Sequence, residues 1–151
     1  MTELHVRTVS PLELHELRRR VLRNNDPAIS VADKRDEEDT AVHFGGFLNE
    51  RLVVSASFYP SAPPVNESLV TYQLRYMATD FDQQGKGYGA VVLRHAETEL
   101  MARGAQQLWA NARDTALGFY RATGWQLVAG SEHLSPETQL PHTVIFKLLT
   151  D

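Results

Sequence analysis

Three glycines at alternating positions, Gly85, Gly87 and Gly89, lie within the stretch Met77-Ala-Thr-Asp-Phe-Asp-Gln-Gln-Gly-Lys-Gly-Tyr-Gly-Ala90. A strand-like run from Leu69 to Thr79 leads into them, and a run with helical spacing from Ala90 to Arg103 leads out. A glycine turn between a strand and a helix start aims several backbone N–H groups at one point, where the helix dipole also favours negative charge. Glycine suits the turn because a Cβ would hold an anion away from the backbone, and because some turn positions need φ > 0. The chemistry these residues offer is anion binding, with phosphate as the natural guest.

Three phosphate motifs compete for the stretch. A P-loop needs a glycine five residues before a Gly-Lys-Ser/Thr. Asp80 stands where that glycine would be and Gly87 follows Gly85-Lys86, so the P-loop is excluded. A dinucleotide fingerprint is met literally by Gly85-x-Gly87-x-x-Ala90, but it also wants an acidic residue about 20 positions on, at the end of the next strand. That strand reads Leu108-Trp-Ala-Asn-Ala112 and ends in an amide. The third motif, Gln84-x-x-Gly87-x-Gly89, resembles the coenzyme A pyrophosphate signature of the GCN5-related N-acetyltransferases, the GNAT family. A glycine turn with no ligand stays open on the glycines alone. A second stretch, Asn111-Ala-Arg-Asp-Thr-Ala-Leu-Gly-Phe-Tyr-Arg-Ala-Thr-Gly-Trp125, is similar to the second GNAT signature. It has an asparagine at a strand end, a short helix carrying Phe119-Tyr120, and then Gly-aromatic. With both stretches in order, the resemblance covers about Leu69 to Trp125, and the flanks match as a pattern of strands and helices.

The resemblance implies an α/β fold of α+β layering. Its mixed, mostly antiparallel sheet would have six to seven strands, with helices on both faces and a splay between the fourth and fifth. Acetyl-CoA would be the co-substrate. Its pantetheine arm would lie in the splay against the main chain of Met77, Ala78 and Thr79, and Gln84, Gly85, Lys86, Gly87, Tyr88, Gly89 and Ala90 would hold the pyrophosphate. Asn111 would bond the arm or a bound water. Tyr120 would be the general acid to the coenzyme's sulfur. A phenol near pKa ~10 can protonate a thiolate whose thiol sits near ~8.5, provided it is well placed. The implied reaction is direct transfer of an acetyl group to a primary amine of a small molecule or peptide, with a main-chain N–H near Met77 polarising the thioester carbonyl.

The sequence departs from the better-known members at the general base. Many of these carry a glutamate on the fourth strand, and aligning the glycine loops puts Gln73 there. Glutamine cannot take and keep a proton. Tyr72, Asp80, His43, Glu132 and His142 are the candidates that remain, and Leu140-Pro141-His142 resembles a Pro-His pair of many small-molecule GNAT enzymes. The missing glutamate also leaves open an acyl-CoA-binding sensor of the same fold.

The elements that must position these residues follow from the pattern. Leu4 to Val9 reads as a first strand. Ser10-Pro-Leu-Glu13 is a capping box opening a helix to about Leu22. Arg18, Arg19, Arg20 and Arg23 near its end suit the helix dipole; alternatively, one of them lines the acceptor site. Residues 24–40 read as a loop, with the mixed charges of Lys34-Arg-Asp-Glu-Glu-Asp39 as solvated surface. Ala41 to Leu48 and Arg51 to Tyr59 pair as strands. Val92, Leu93, Ala96 and Leu100 form the core face of the long helix, and Gly104 ends it. Gln107 to Ala110, Trp125 to Ala129 and Thr143 to Leu149 are the remaining strands, with residues 131–141 as a loop.

Composition narrows the classes. The 151 residues predict one domain, 1–151. A net charge of −4 speaks against a nucleic-acid binder. Without cysteine there is no thiolate metal site or cysteine nucleophile, and the six histidines lack short ligand spacing, so no metal is expected. No apolar run approaches about 18 residues and the N-terminus lacks an apolar leader, so a cytoplasmic protein without membrane contact is expected. The acceptor is not legible. A homodimer is among the assemblies the resemblance allows.

Overall fold

Alternating apolar residues build the sheet, and the computed structural model describes residues 3–150 of it. Met1, Thr2 and Asp151, the ends of the expected 1–151 span, lie outside the described residues. Strands β1 (Leu4–Thr8), β2 (Val42–Leu48), β3 (Arg51–Pro60) and β4 (Thr71–Thr79) pair in antiparallel succession. β5 (Gln107–Arg113) runs parallel to β4, and β8 (Pro141–Leu148) pairs antiparallel with β5. Two two-residue strands, β6 (Gln126–Leu127) and β7 (His133–Leu134), follow one another along the other edge of β8. The expected six to seven strands are eight among the described residues, because the 131–141 loop contributes β7. The first strand after the glycines, β5, is longer than Gln107 to Ala110, since pairing with β8 carries it on to Arg113.

The 15-residue helix α2 (Tyr88–Ala102) buries Val92, Leu93, Ala96 and Leu100 against the sheet, as their spacing predicts. They meet Phe44, Val54, Ala56, Phe58, Leu74 and Leu108 in the main core. The helix ends in a Schellman motif: Ala105 N–H donates to the Leu100 carbonyl and Gly104 N–H to that of Met101, both at 3.0 Å. No helix among the described residues is long and apolar enough to cross a membrane.

The opposite face carries the helical stretch α1. It is wound in three ways: a 3-10 turn (Pro11–Leu14), an α turn (His15–Leu17) and a π segment (Arg18–Leu22). The Glu13 carboxylate accepts the Ser10 N–H at 2.9 Å in the expected capping box. Arg18 is wholly buried there and reaches Ser57, whose neighbours Ala56 and Phe58 face the α2 core. Alternation along β3 therefore puts α1 and α2 on opposite faces.

Two expectations change on this face. The run Lys34–Asp39 is not simply solvated surface, because Asp36 is buried. It binds Arg18 Nη1 at 2.9 Å and accepts the Tyr59 hydroxyl. Nor does the helix dipole alone account for three of the four arginines expected there. Arg18 pairs with Asp36, Arg20 with Asp80 at 2.6 Å, and Arg23 with Glu137 at 2.9 Å. All three partners are remote in sequence, so hydrophobic periodicity gave no notice of them.

Candidate active site

β4 and β5 are bonded only at their beginnings. Thr71 pairs with Gln107, Tyr72 with Leu108 and Gln73 with Trp109. From Leu74 and Ala110 onward the two strands diverge, although each continues as strand. A parallel pair that parts in mid-sheet leaves two rows of main-chain groups facing a gap, and these need partners. The gap is a cleft of about 570 Å³, lined on one side by Gln73 to Thr79 and on the other by Ala110 to Arg113.

A bulge in β4 shapes the cleft. Ser55 stands opposite Ala78 and Ser57 opposite Arg75, so one residue of β3 faces two of β4. The extra residue is absorbed at Tyr76, which takes φ 58°, a left-handed conformation rare outside glycine and asparagine. The Ser55 hydroxyl donates to the Tyr76 carbonyl at 2.9 Å and satisfies it. The bulge also reverses the alternation. Tyr72 and Leu74 pack toward the main core, and beyond the bulge it is Met77 that does so. Tyr76 turns to the other face, beneath the guanidinium groups of Arg18 and Arg75 at 4.1 and 4.6 Å from its ring centre.

At the end of β4 the chain turns through a 3-10 segment (Phe81–Gln83) into the glycine loop. Gly85 and Gly87 adopt φ 78° and 83°, and Gly87 is the N-cap of α2. An L side chain would be strained at either position. Among the described residues, no backbone N–H from Gln84 to Ala90 donates to a protein acceptor; the first bonded amide is Val91, to Gly87. The loop and α2 thus present a row of free donors at a helix N-terminus, the arrangement that binds anions. A second hollow of about 360 Å³ lies beside them, lined by Met77 to Thr79, Gln83 to Gly85, Gly87 to Gly89, Ala116, Phe119 and Tyr120. It shares Met77, Ala78, Thr79, Gln84, Ala116 and Tyr120 with the cleft, so the two form one continuous groove. Of the residues expected here, Lys86 turns its ammonium to Gln83 at 3.1 Å, and neither its side chain nor Ala90 lines the groove.

Tyr120 sits where the two parts of the groove meet. The 3-10 turn Asp114–Ala116 and the short helix α3 (Leu117–Ala122) carry it out from the end of β5. A second Schellman motif fixes the far end, with Trp125 N–H on the Tyr120 carbonyl at 3.0 Å and Gly124 at φ 96°. Trp125 and Phe119 pack edge-on against the Tyr120 ring at 5.4 and 5.1 Å between centres. Burial raises the phenol's pKa well above the ordinary tyrosine value, so it holds its proton at neutral pH. Asn111 lies across the groove on the diverged part of β5, with its side chain exposed.

The other candidates separate cleanly. Asp80 is held ionised by Arg20 and, after burial's opposing effect, by Arg51, which together bring its pKa down to about 2. It is an ion-pair partner and not a base at neutral pH. His43 is buried away from the groove. Its Nε2–H donates to the Asp36 carbonyl at 2.9 Å and its Nδ1 accepts from Ser57 at 2.8 Å, while burial lowers its pKa. Tyr72 and Glu132 do not line the cleft, whereas Gln73 and His142 do. The Gln73 amide oxygen accepts from Arg35 Nη1 at 3.1 Å. His142 Nδ1–H donates to the Leu140 carbonyl at 2.8 Å, which leaves Nε2 as the acceptor.

Several cleft residues went unread in the sequence. Arg75, Arg113, His133, Glu137 and Phe81 line the cleft, as does Arg23 from the α1 arginines, and none of the six lines the hollow beside the glycines. Arg113 had one legible signal: it lies two residues after Asn111 on a strand and so shares its face. Glu137 had none, because only the fold brings it to Arg23 and Arg75.

The family model of the acetyltransferase (GNAT) family matches residues 11–125. The chain is 33% identical over 123 residues to the uncharacterized N-acetyltransferase YitI of Bacillus subtilis (strain 168), covering 82% of this chain and 83% of that protein. Among solved structures, Escherichia coli ElaA superposes with a TM-score of 0.74 at 20% identity, over 97% of this chain and 99% of its own. An acetyltransferase of the GNAT family from Streptococcus pneumoniae superposes with a TM-score of 0.70 at 16% identity, over 98% and 100%. At these identities the superpositions speak for the fold.

Proposed function

The chain belongs to the GNAT acetyltransferase family, and from that premise we propose that it moves an acetyl group from acetyl-CoA directly to a primary amine of a small molecule or peptide. The observation that carries this reading is the continuity of the groove. Free amides at a helix N-terminus open into a gap between two diverging strands, and a protonated tyrosine stands at the junction.

Acetyl-CoA supplies an activated acyl group as a thioester on a long, amide-bearing arm that ends in a diphosphate. The main-chain amides from Gln84 to Ala90 bind the diphosphate. The free edge of β4, from Leu74 to Thr79, pairs with the arm as a strand would. The Met77 N–H, re-aimed by the bulge at Tyr76, polarises the thioester carbonyl as negative charge grows on its oxygen. Asn111 bonds the arm from the β5 side. His142 Nε2, directly or through a water, takes the proton that the amine loses as its nitrogen bonds the acetyl carbon. Tyr120 gives its proton to the sulfur as the carbon–sulfur bond breaks, and regains one from solvent. Gln73 takes no proton, since an amide is not a base at neutral pH, and its oxygen accepts from Arg35.

The test is to incubate purified protein with acetyl-CoA and a panel of polyamines, amino acids, aminoglycosides and peptides. Release of free thiol is followed, and acetyl-CoA binding is measured by calorimetry. Binding together with amine-dependent thiol release supports the proposal. Either no acetyl-CoA binding, or binding without release for any amine class, refutes it.

A further inference from the structure

We infer that the acceptor amine also carries a carboxylate, which Arg113 and Arg23 receive in the part of the cleft that the glycine hollow does not share. This deepens the acetyl-transfer reading and rests on it. Three guanidinium groups line that part, those of Arg23, Arg75 and Arg113, against one lining carboxylate, Glu137. Arg75 is satisfied, with Asp33 at 3.0 Å and Glu137 at 2.7 Å. Arg23 has the other oxygen of Glu137 and, through Nη1, the carbonyl of Leu22 at 3.2 Å, and its buried Nε has no hydrogen-bond partner among the described residues.

Arg113 makes no ion pair among the described residues, and its one side-chain hydrogen bond goes to the main-chain carbonyl of Leu22. Burial, and after it the charge of Arg23, makes its protonated form less favourable than usual. A half-buried cation beside another cation, without an acid of its own, is a cost that a visiting anion relieves. The guanidinium fork matches a carboxylate through two parallel bonds.

The missing anion is not the coenzyme's diphosphate. The hollow beside the glycine loop has no arginine or lysine in its lining, and Arg113 and Arg23 do not reach it. Glu137, the one carboxylate lining the cleft, repels a dianion more than a monoanion, so a carboxylate fits better than a phosphate dianion.

Matched pairs of acceptors test this with the intact protein: amino acids against their carboxamides, and β-alanine against phosphoethanolamine, each with saturating acetyl-CoA. The carboxamides have the less basic amines, so amine chemistry alone would favour them. We expect kcat/KM to favour the carboxylates by about tenfold or more, the yield of one charge-assisted hydrogen-bond pair. Arg113→Gln should erase that preference through KM, and Arg113→Lys should keep part of it. Stabilisation of the acetyl-CoA-bound protein by the same amino acids, read as a thermal shift, should follow the same order and needs no turnover. Equal rates within the pairs, a preference for phosphoethanolamine, or an Arg113→Gln loss that strikes both members alike would overturn the inference. If acetyl-CoA fails to bind in calorimetry, the acetyl-transfer reading fails with it. If acetyl-CoA binds and thiol is released without carboxylate preference, only this inference fails.

Discussion

Gln73 and Trp109 form the last rung that joins β4 to β5. Gln73 therefore stands at the apex of the cleft, and its amide is already spent on Arg35. Arg35 in turn is clamped to Asp33 and lies 4.3 Å over the Tyr59 ring. A carboxylate placed there would meet a guanidinium before it met a substrate. Gln73→Glu should consequently yield an ionised, Arg35-bound side chain that is a poor base. The expected outcome is a kcat within about twofold of the parent, since no new proton acceptor is created. A tenfold gain in a pH–rate profile would show instead that the glutamate reaches the amine.

Tyr120→Phe should lower kcat by about a hundredfold, the range of a single general acid, while acetyl-CoA affinity in calorimetry stays nearly constant. The pH dependence has a defined sign. The acid form is the active one and burial raises its pKa, so the alkaline fall of kcat belonging to this group lies above the ordinary tyrosine value.

His142→Gln should cost about a hundredfold in kcat/KM, because the amide cannot take the proton that the imidazole takes, while acetyl-CoA affinity in calorimetry stays nearly constant. An unchanged kcat/KM would assign the base elsewhere.

Gly87→Ala tests the amide cradle. The added methyl meets no atom within 4 Å, so the effect is conformational, through φ 83°. A left-handed alanine costs about 1–2 kcal/mol. If the loop relaxes out of that conformation, acetyl-CoA binding should weaken by about tenfold, one such increment of free energy. Calorimetry reads this directly, and thermal melting reports the accompanying loss of stability.

Asp36→Asn should destabilise the fold by about 3–5 kcal/mol, because it leaves the buried Arg18 without its counter-charge. In a chain of this length that is roughly a 10 °C fall in Tm. Burial pushes the Asp36 carboxyl up, but the Arg18 and Tyr59 hydrogen bonds outweigh it and hold the pKa below 3.8. Its contribution is therefore complete above that value and is lost as pH falls through the lowered one. His43 acts earlier. It is held neutral in the fold, so the unfolded chain binds the extra proton, and stability begins to decline as pH drops below 6.5. Chemical denaturation across pH should show the His43 phase in both chains. The acid-side loss should be smaller in Asp36→Asn than in the parent, with Asp80 and Asp33 still contributing to it.

The sequence by itself determined what is local. The glycines at 85 and 87, the core face of α2, the ends of two helices at Gly104 and Gly124, and the order of the two signature stretches all follow from backbone preferences and apolar spacing within a few residues. Tyr120 and Asn111 were named through the resemblance of the second signature stretch, which lies within one short segment of the chain. What only the tertiary structure decided depends on partners far apart in the chain. The bulge at Tyr76 exists because β3 and β4 pair out of simple register, and it turns Met77 toward the core face. The cleft exists because β5 leaves β4 after Trp109 and follows β8. Arg18, Arg23 and Arg113 acquired their meaning from Asp36, Glu137 and the carbonyl of Leu22, which lie 18, 114 and 91 residues away in the chain. Charges bury in pairs, and a pair closed over such distances leaves no periodic trace in the order of the residues.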